Sequence, residues 1–321
     1  MRSQPKALPV LFLTEMWERF GFYVVQGLLI IYMTSVLDYS DARGYTTLGA
    51  FTALAYISPF FGGYLADRLL GFTTTIIYGA YILIIGYALL AVPTDNTVFF
   101  YLGLATIVMG TGMFKPSVSS LLGTQYTKDD PRRDSGFTLF YIGINSGAFL
   151  AGFSSGYIKN YFGWHASFFM ASLGLVIGLV IFAAGMHKLI GLKQHAPVSV
   201  RHKFRLLVYC LLATLGINFL LRLTNIADWL LPFAGLMLIG YLGMLTMRQT
   251  RENRSRMILL NLLILSSIVF WMIYLQMFFS ANLFIDRVVD RDIMGVHLAT
   301  TIFYASESLL IILLGPIFAR L

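Results

Sequence analysis

Residues 14–23 read TEMWERFGFY, Thr14 to Tyr23, inside an otherwise apolar run from Leu8 to Leu37. At about 1.5 Å per residue such a run crosses a hydrocarbon core about 30 Å thick, so it reads as a membrane helix. It nevertheless carries Glu15, Glu18 and Arg19. On insertion scales each charge at mid-bilayer costs at least about 2.5–3.5 kcal/mol, so the three must face protein or water. Their spacing of i, i+3 and i+4 puts them on one helical face, where opposite charges share the desolvation cost. Tyr23 and Gln26 extend the stripe by one and two turns, and the stripe is expected to line a cavity.

Composition agrees: the chain is 58% hydrophobic and only 12% charged, a balance expected where the solvent is lipid. Ten apolar runs of helical length are expected to span, near 8–36, 45–68, 72–92, 97–125, 135–159, 164–187, 204–222, 227–247, 257–280 and 295–320. The basic start of the chain has no short apolar region ending in a cleavage site, so the first span is expected to be retained. With the N-terminus cytoplasmic, sixteen basic residues fall on that side: Arg2, Lys6, Arg68, three in 128–133, five in 188–205, four in 248–256, and Arg320. Five fall opposite, and Arg19 and Lys115 lie within the membrane. This bias predicts a multi-pass protein of the cell (inner) membrane and makes the net charge of +8 a topology signal, not a nucleic-acid footprint.

Six spans come first, residues 1–190. A polar linker with Lys193, His195 and Pro197 opens residues 191–256, a two-span hairpin between basic linkers, and residues 257–321 start a further set. The chain stops directly after a span, so it is expected to be truncated. This order fits a transporter plan of two helix bundles around a central cavity. GGYLADRLLG at 62–71 resembles the loop after the second helix in the major facilitator superfamily, although Phe72 and Thr73 stand where basic residues are usual.

A second polar island, GTGMFKPSVSSLLG, puts Lys115 well inside the fourth span, before Pro116. A lone ammonium there should lie near a carboxylate, and Glu15 and Glu18 are best placed. A buried carboxylate approached by a lysine in one geometry and not in another takes up and releases a proton as the geometry changes. The membrane potential supplies about 2.3 kcal/mol per 100 mV to such a proton. The competing reading is a static ion cluster that orients helices. The histidines fall at loops or span ends, and Cys210 alone forms no disulfide or metal site. No nucleophile motif, metal-ligand spacing or phosphate loop is present, so neither an enzyme nor a cofactor is expected, the proton serving as coupling ion.

Taken together, the motifs resemble those of the proton-dependent oligopeptide transporter family. EMWERFGFY looks like its helix 1 signature, GMFKPSVSSLLG its helix 4 lysine motif, and FTLFYIGINSGAFL at 137–150 its helix 5 motif; FWMIYLQ and SESLLIILLGP align with helices 7 and 8. The resemblance implies an all-α major facilitator fold: a six-helix bundle, an inserted hairpin, and two helices of an incomplete second bundle. It implies a proton-coupled symporter of di- and tripeptides, a monomer working by alternating access. Glu15, Glu18, Arg19 and Lys115 would couple protons, and Tyr23, Gln26, Tyr56, Lys115, Asn145 and Glu307 would bind substrate.

The chain departs from the pattern. Many members have Arg where Gln26 stands, Glu where Leu275 stands, and Asn-Pro where Glu307 and Ser308 stand. Losing the Arg and the helix 7 Glu together avoids stranding a charge and leaves Lys115 as the principal cation. Glu307 reads either as a cavity group for a proton or amine, or as a helix contact. A proton-coupled carrier of nitrate, an amino acid or a drug, and a non-transporting membrane scaffold, are the alternative functions.

Overall fold

A computed structural model of the chain describes residues 3–93, 97–189 and 200–318. Arg2, Arg320 and the linker stretch with Lys193, His195 and Pro197 lie outside the described residues. Within them are ten helices of 17 residues or more, α1 Leu8–Ser35, α2 Asp41–Leu65, α3 Phe72–Leu90, α4 Thr97–Gly123, α5 Arg133–Phe162, α6 Trp164–Gly185, α7 Val200–Arg222, α8 Thr224–Met247, α9 Arg251–Leu275 and α11 Ile302–Phe318, with a short α10, Ser280–Arg287, before the last. Six meet both the length and the apolarity needed to cross a membrane. Helix α1 is as long, but its charged residues and Gln26 dilute its hydropathy.

The helix ends follow local chemistry. Pro9 sits in the first turn of α1, where a missing N–H leaves no broken bond. Ser40 caps α2 by accepting from the Arg43 amide at 3.3 Å, so α2 starts four residues before the expected span. Its far end loosens into a π-helical turn, Ala66–Leu70, that carries Asp67 and Arg68 and stops at Gly71 with φ 76°. Only Leu223 separates α7 from α8, so most of the loop expected at 222–228 is helical. Likewise α9 begins at Arg251, because the basic linker of good helix formers becomes its first turns behind Thr250.

The largest correction is at the tenth span, expected from residue 295 and observed from Ile302. Between α9 and α11 the chain forms a 3₁₀ turn, α10, and a hairpin of β1 Asp292–Ile293 and β2 Val296–His297. Met294 and Gly295 both have positive φ, which suits the tight turn of a two-residue hairpin.

In lipid, helices associate through close packing more than through hydrophobic burial. Helices α3 and α4 meet along glycines seven apart, Gly79 and Gly86 against Gly103 and Gly110. A Cβ on Gly110 would lie 2.6 Å from the Leu83 Cγ and 2.9 Å from its amide nitrogen. Helix α1 is the most enclosed element and packs against α5 and α6. Helix α7 lies on α4 and α8 on α2, while α11 packs on α5. Helix α9 has no buried residue.

Candidate functional site

The stripe on α1 is buried: Glu15, Glu18 and Arg19 expose 1%, 0% and 3% of their surface. The Arg19 guanidinium donates to both Glu18 oxygens, at 2.5 and 2.6 Å, and ion-pairs with Glu15 at 3.5 Å. It also lies 4.7 Å from the centroid of the Phe22 ring. Glu15 Oε2 is left buried with no hydrogen-bond partner among the described residues. Helix α5 closes over the cluster at Gly147, where a Cβ would fall 2.9 Å from the Phe20 amide and 3.1 Å from the Arg19 Cβ. The glycine of the helix 5 motif therefore lets two backbones meet at the charges.

Lys115 stands apart. Among the described residues it forms no ion pair, and its Nζ lies 4.9 Å from the centroid of the Tyr56 ring. Glu15, Glu18 and Arg19 act on it only through coulombic interaction. The contact expected with the α1 carboxylates is thus a separation with electrostatic coupling. Pro116 follows it in α4, so the Gly112 carbonyl loses its usual helical donor.

Tyr56 and Tyr141 are each 51% exposed, and Tyr56 faces Trp271 of α9 at 6.3 Å between rings. Tyr23 has Arg19, Tyr56, Tyr141 and Glu307 within electrostatic reach, and its ring lies 6.0 Å from Phe278. Glu307 accepts a hydrogen bond from the Tyr274 hydroxyl at 3.2 Å and borders a cavity of ≈ 590 Å³ between α9, α10 and α11. Lys115 is thus linked through Tyr56 and Tyr23 to Glu307. The structure turns Gln26 and Asn145 inward: Gln26 is 2% exposed and donates to Thr52 of α2 at 3.3 Å, while Asn145 donates to the Tyr141 carbonyl of its own helix at 2.9 Å.

Several residues at the site escaped the sequence reading. Tyr141 lies inside the quoted helix 5 motif and Tyr274 immediately precedes Leu275, so both were within motifs already in hand. Tyr87 of α3 is fully buried, has an unpartnered hydroxyl, and interacts electrostatically with Glu18 and Arg19. It is one of three tyrosines in that apolar span, with Tyr78 and Tyr81, so the sequence did not single it out. At the far end of α1, Asp41 and Arg287 form a bidentate ion pair at 2.8 Å. Asn282 donates to the Gly27 carbonyl at 2.8 Å, and Thr301 donates to the Gly152 carbonyl at 2.6 Å. The last helices are thus fastened to the first six at this end, while α9 buries no residue.

A helical bundle with its charges turned inward and its apolar surface turned out is a multi-pass membrane protein. The sequence profile of the POT (PTR2) family matches residues 73–321, and the chain belongs to that family. The helix 1 motif lies outside the matched stretch, whereas the match to individual relatives extends over 99% of the chain. Dipeptide and tripeptide permease A of Serratia proteamaculans (strain 568) is 35% identical over 325 residues, which is 99% of this chain and 64% of the relative. The protein of the same name from Yersinia pestis is 35% identical over 323 residues, again 99% and 64%. The chain spans just under two thirds of the length of these relatives. Among solved structures, a bacterial homologue of the human drug peptide transporters PepT1 and PepT2 superposes with a TM-score of 0.90 at 32% identity, covering 98% of this chain and 71% of that one. A structure concerned with substrate recognition in proton dependent oligopeptide transporters gives 0.88 at 33%, covering 98% and 70%. The fold is of the major facilitator type, and the relatives are permeases, not enzymes.

Proposed function

We infer that this chain carries the coupling site of a symporter that imports di- and tripeptides with protons by alternating access. The observation that carries this reading is the α1 cluster with the unpaired Lys115 beside it. Two carboxylates, Glu15 and Glu18, face two cations, Arg19 and Lys115, so the set is neutral as it stands. A peptide carboxylate on Lys115 makes the set net negative, and a proton on a glutamate restores neutrality. The unpartnered Oε2 of Glu15 is an acceptor ready for it. Burial makes an uncompensated charge expensive, so peptide and proton favour each other's binding. The fastening of the two helix sets at the Asp41 end, with no residue of α9 buried, supports a conformation open on one side.

Within this reading the N-terminus is cytoplasmic, the membrane is the inner (plasma) membrane, and the protein works as a monomer. Residues 1–190 form the first bundle, 191–256 an inserted hairpin, and 257–321 the start of the second bundle. Tyr23, Tyr56 and Lys115 line the peptide site, with Gln26 behind it holding α1 to α2 and Asn145 bonded within α5. Uptake driven by an imposed proton gradient in proteoliposomes tests the function: di- and tripeptides should compete, while free amino acids and nitrate should not. Competition by nitrate or amino acids alone would overturn it.

A further inference from the structure

Among its described side chains, α7 buries a residue only at its far end. Leu221 is fully buried there and the Arg222 guanidinium lies 5.2 Å from the centroid of the Tyr101 ring, whereas no residue from 208 to 220 is buried. Before that contact a cavity of ≈ 350 Å³ opens between α2, α4 and α7. Its walls run from Leu54 to Leu65 on α2 and from Tyr209 to Ile217 on α7. These are about 16 and 12 Å of helix, about half of a hydrocarbon core about 30 Å thick. The walls are carbon surface, and the Ser58 hydroxyl among them already donates to the Ala55 carbonyl at 3.2 Å. Phe61, Tyr64 and Tyr209 stand exposed at the rim. The end away from Leu221 is basic. Arg68, exposed and in no ion pair among the described residues, follows Tyr64 by one turn. Arg201, Lys203 and Arg205 belong to the first turns of α7, Arg205 one turn before Tyr209. Asp67 is the one acidic residue in these two stretches.

We propose that this groove is a phospholipid site: one acyl chain lies between α2, α4 and α7, and an anionic headgroup rests at Arg68 and the basic foot of α7. Three observations select this occupant. The groove is cut into α2 and α4, both apolar and long enough to span, so hydrocarbon is the solvent at its rim. Water finds too few polar partners inside to stay, while an unfilled wedge forfeits dispersion contacts along both walls. The length matches one leaflet, so a chain entering from one side fills the groove and ends where Leu221 closes it. Four basic residues against one acidic one at the open end favour a phosphate with no compensating ammonium, each nearby cation adding about a fivefold preference. The lipid then joins the inserted hairpin to the first bundle along the half of α7 that buries no side chain. The site is independent of what the protein transports.

Native mass spectrometry of the delipidated protein, with dioleoyl phosphatidylglycerol or dioleoyl phosphatidylcholine added back, tests the site. The two lipids share their chains and differ in headgroup charge. Wild type should retain the phosphatidylglycerol about tenfold more tightly, and Arg68→Gln should reduce that preference about fivefold. Ala213→Phe puts a ring into the groove and should weaken both lipids about tenfold. Leu212→Phe, on a neighbouring exposed residue outside the lining, should change neither. Equal retention of the two lipids by wild type, or retention by Ala213→Phe equal to that of Leu212→Phe, overturns the proposal. Retention of neither lipid also overturns it, as when a protein segment fills the groove instead. Should Ala213→Phe fail to fold, the unmodified protein carries its own reporter. Cys210 is the single cysteine and lines the groove, so phosphatidylglycerol should slow its labelling by a membrane-permeant maleimide about fivefold. An unchanged labelling rate overturns the site.

Discussion

Replacing Glu18 with Gln removes the acceptor of both short Arg19 hydrogen bonds and leaves Arg19 with Glu15 alone, at 3.5 Å. Breaking a buried pair by removing one member costs about 3–5 kcal/mol, and the lower end applies because Glu15 remains as counter-charge. The larger consequence is for coupling. Without Glu18 the four-charge set becomes three, Glu15, Arg19 and Lys115, with net charge +1, and a peptide carboxylate on Lys115 neutralises it with no proton required. One proton driven by 100 mV supplies about 2.3 kcal/mol, enough for about a 50-fold peptide gradient. Wild-type proteoliposomes with an imposed potassium diffusion potential of about that size should approach such a ratio, whereas Glu18→Gln should equilibrate near unity. Counterflow, which needs only substrate exchange, should survive in the mutant. Accumulation by Glu18→Gln equal to wild type would refute the charge argument.

Other perturbations follow from the same geometry. Lys115→Met should weaken Ala-Ala about tenfold in counterflow competition while changing the affinity of its carboxamide little, because only the carboxylate meets the ammonium. Gly110→Ala forces a Cβ to 2.6 Å from Leu83 Cγ and should cost about 1–3 kcal/mol, read as a drop of several degrees in thermal unfolding. Gly216→Ala on α7 is the control, since a Cβ there meets nothing within 4 Å, and its unfolding temperature should not fall. The Asp41 and Arg287 side chains are 47% and 46% exposed, so a double-mutant cycle should give a coupling of at most about 1 kcal/mol that shrinks as salt rises.

Much of the fold was legible because membrane spans are set by long apolar runs, and most predicted boundaries lie within a few residues of the observed helices. Errors came where polar segments fold as well. The basic stretch before α9 is made of good helix formers behind Thr250, so hydropathy started the span six residues too late. The region before α11 carries a hairpin turn whose Met294 and Gly295 conformations no apolar pattern reports. At the site, the i, i+3, i+4 spacing correctly gathered Glu15, Glu18 and Arg19. The partner of Lys115 was less legible, because helical spacing says which side chains share a face and not how far apart two helices hold them. Gln26 shares the stripe but ends against Thr52, since the α1 face turns from cavity to neighbour within two turns.

The central claim is that a peptide carboxylate on Lys115 draws a proton onto the α1 glutamates. It is tested most directly by adding Ala-Ala to purified protein in weakly buffered solution and following a pH indicator. Uptake of about one proton per bound peptide is expected, with none for Ala-Ala carboxamide and none in Glu18→Gln. Binding of Ala-Ala without proton uptake, or the same uptake with the carboxamide, would contradict it.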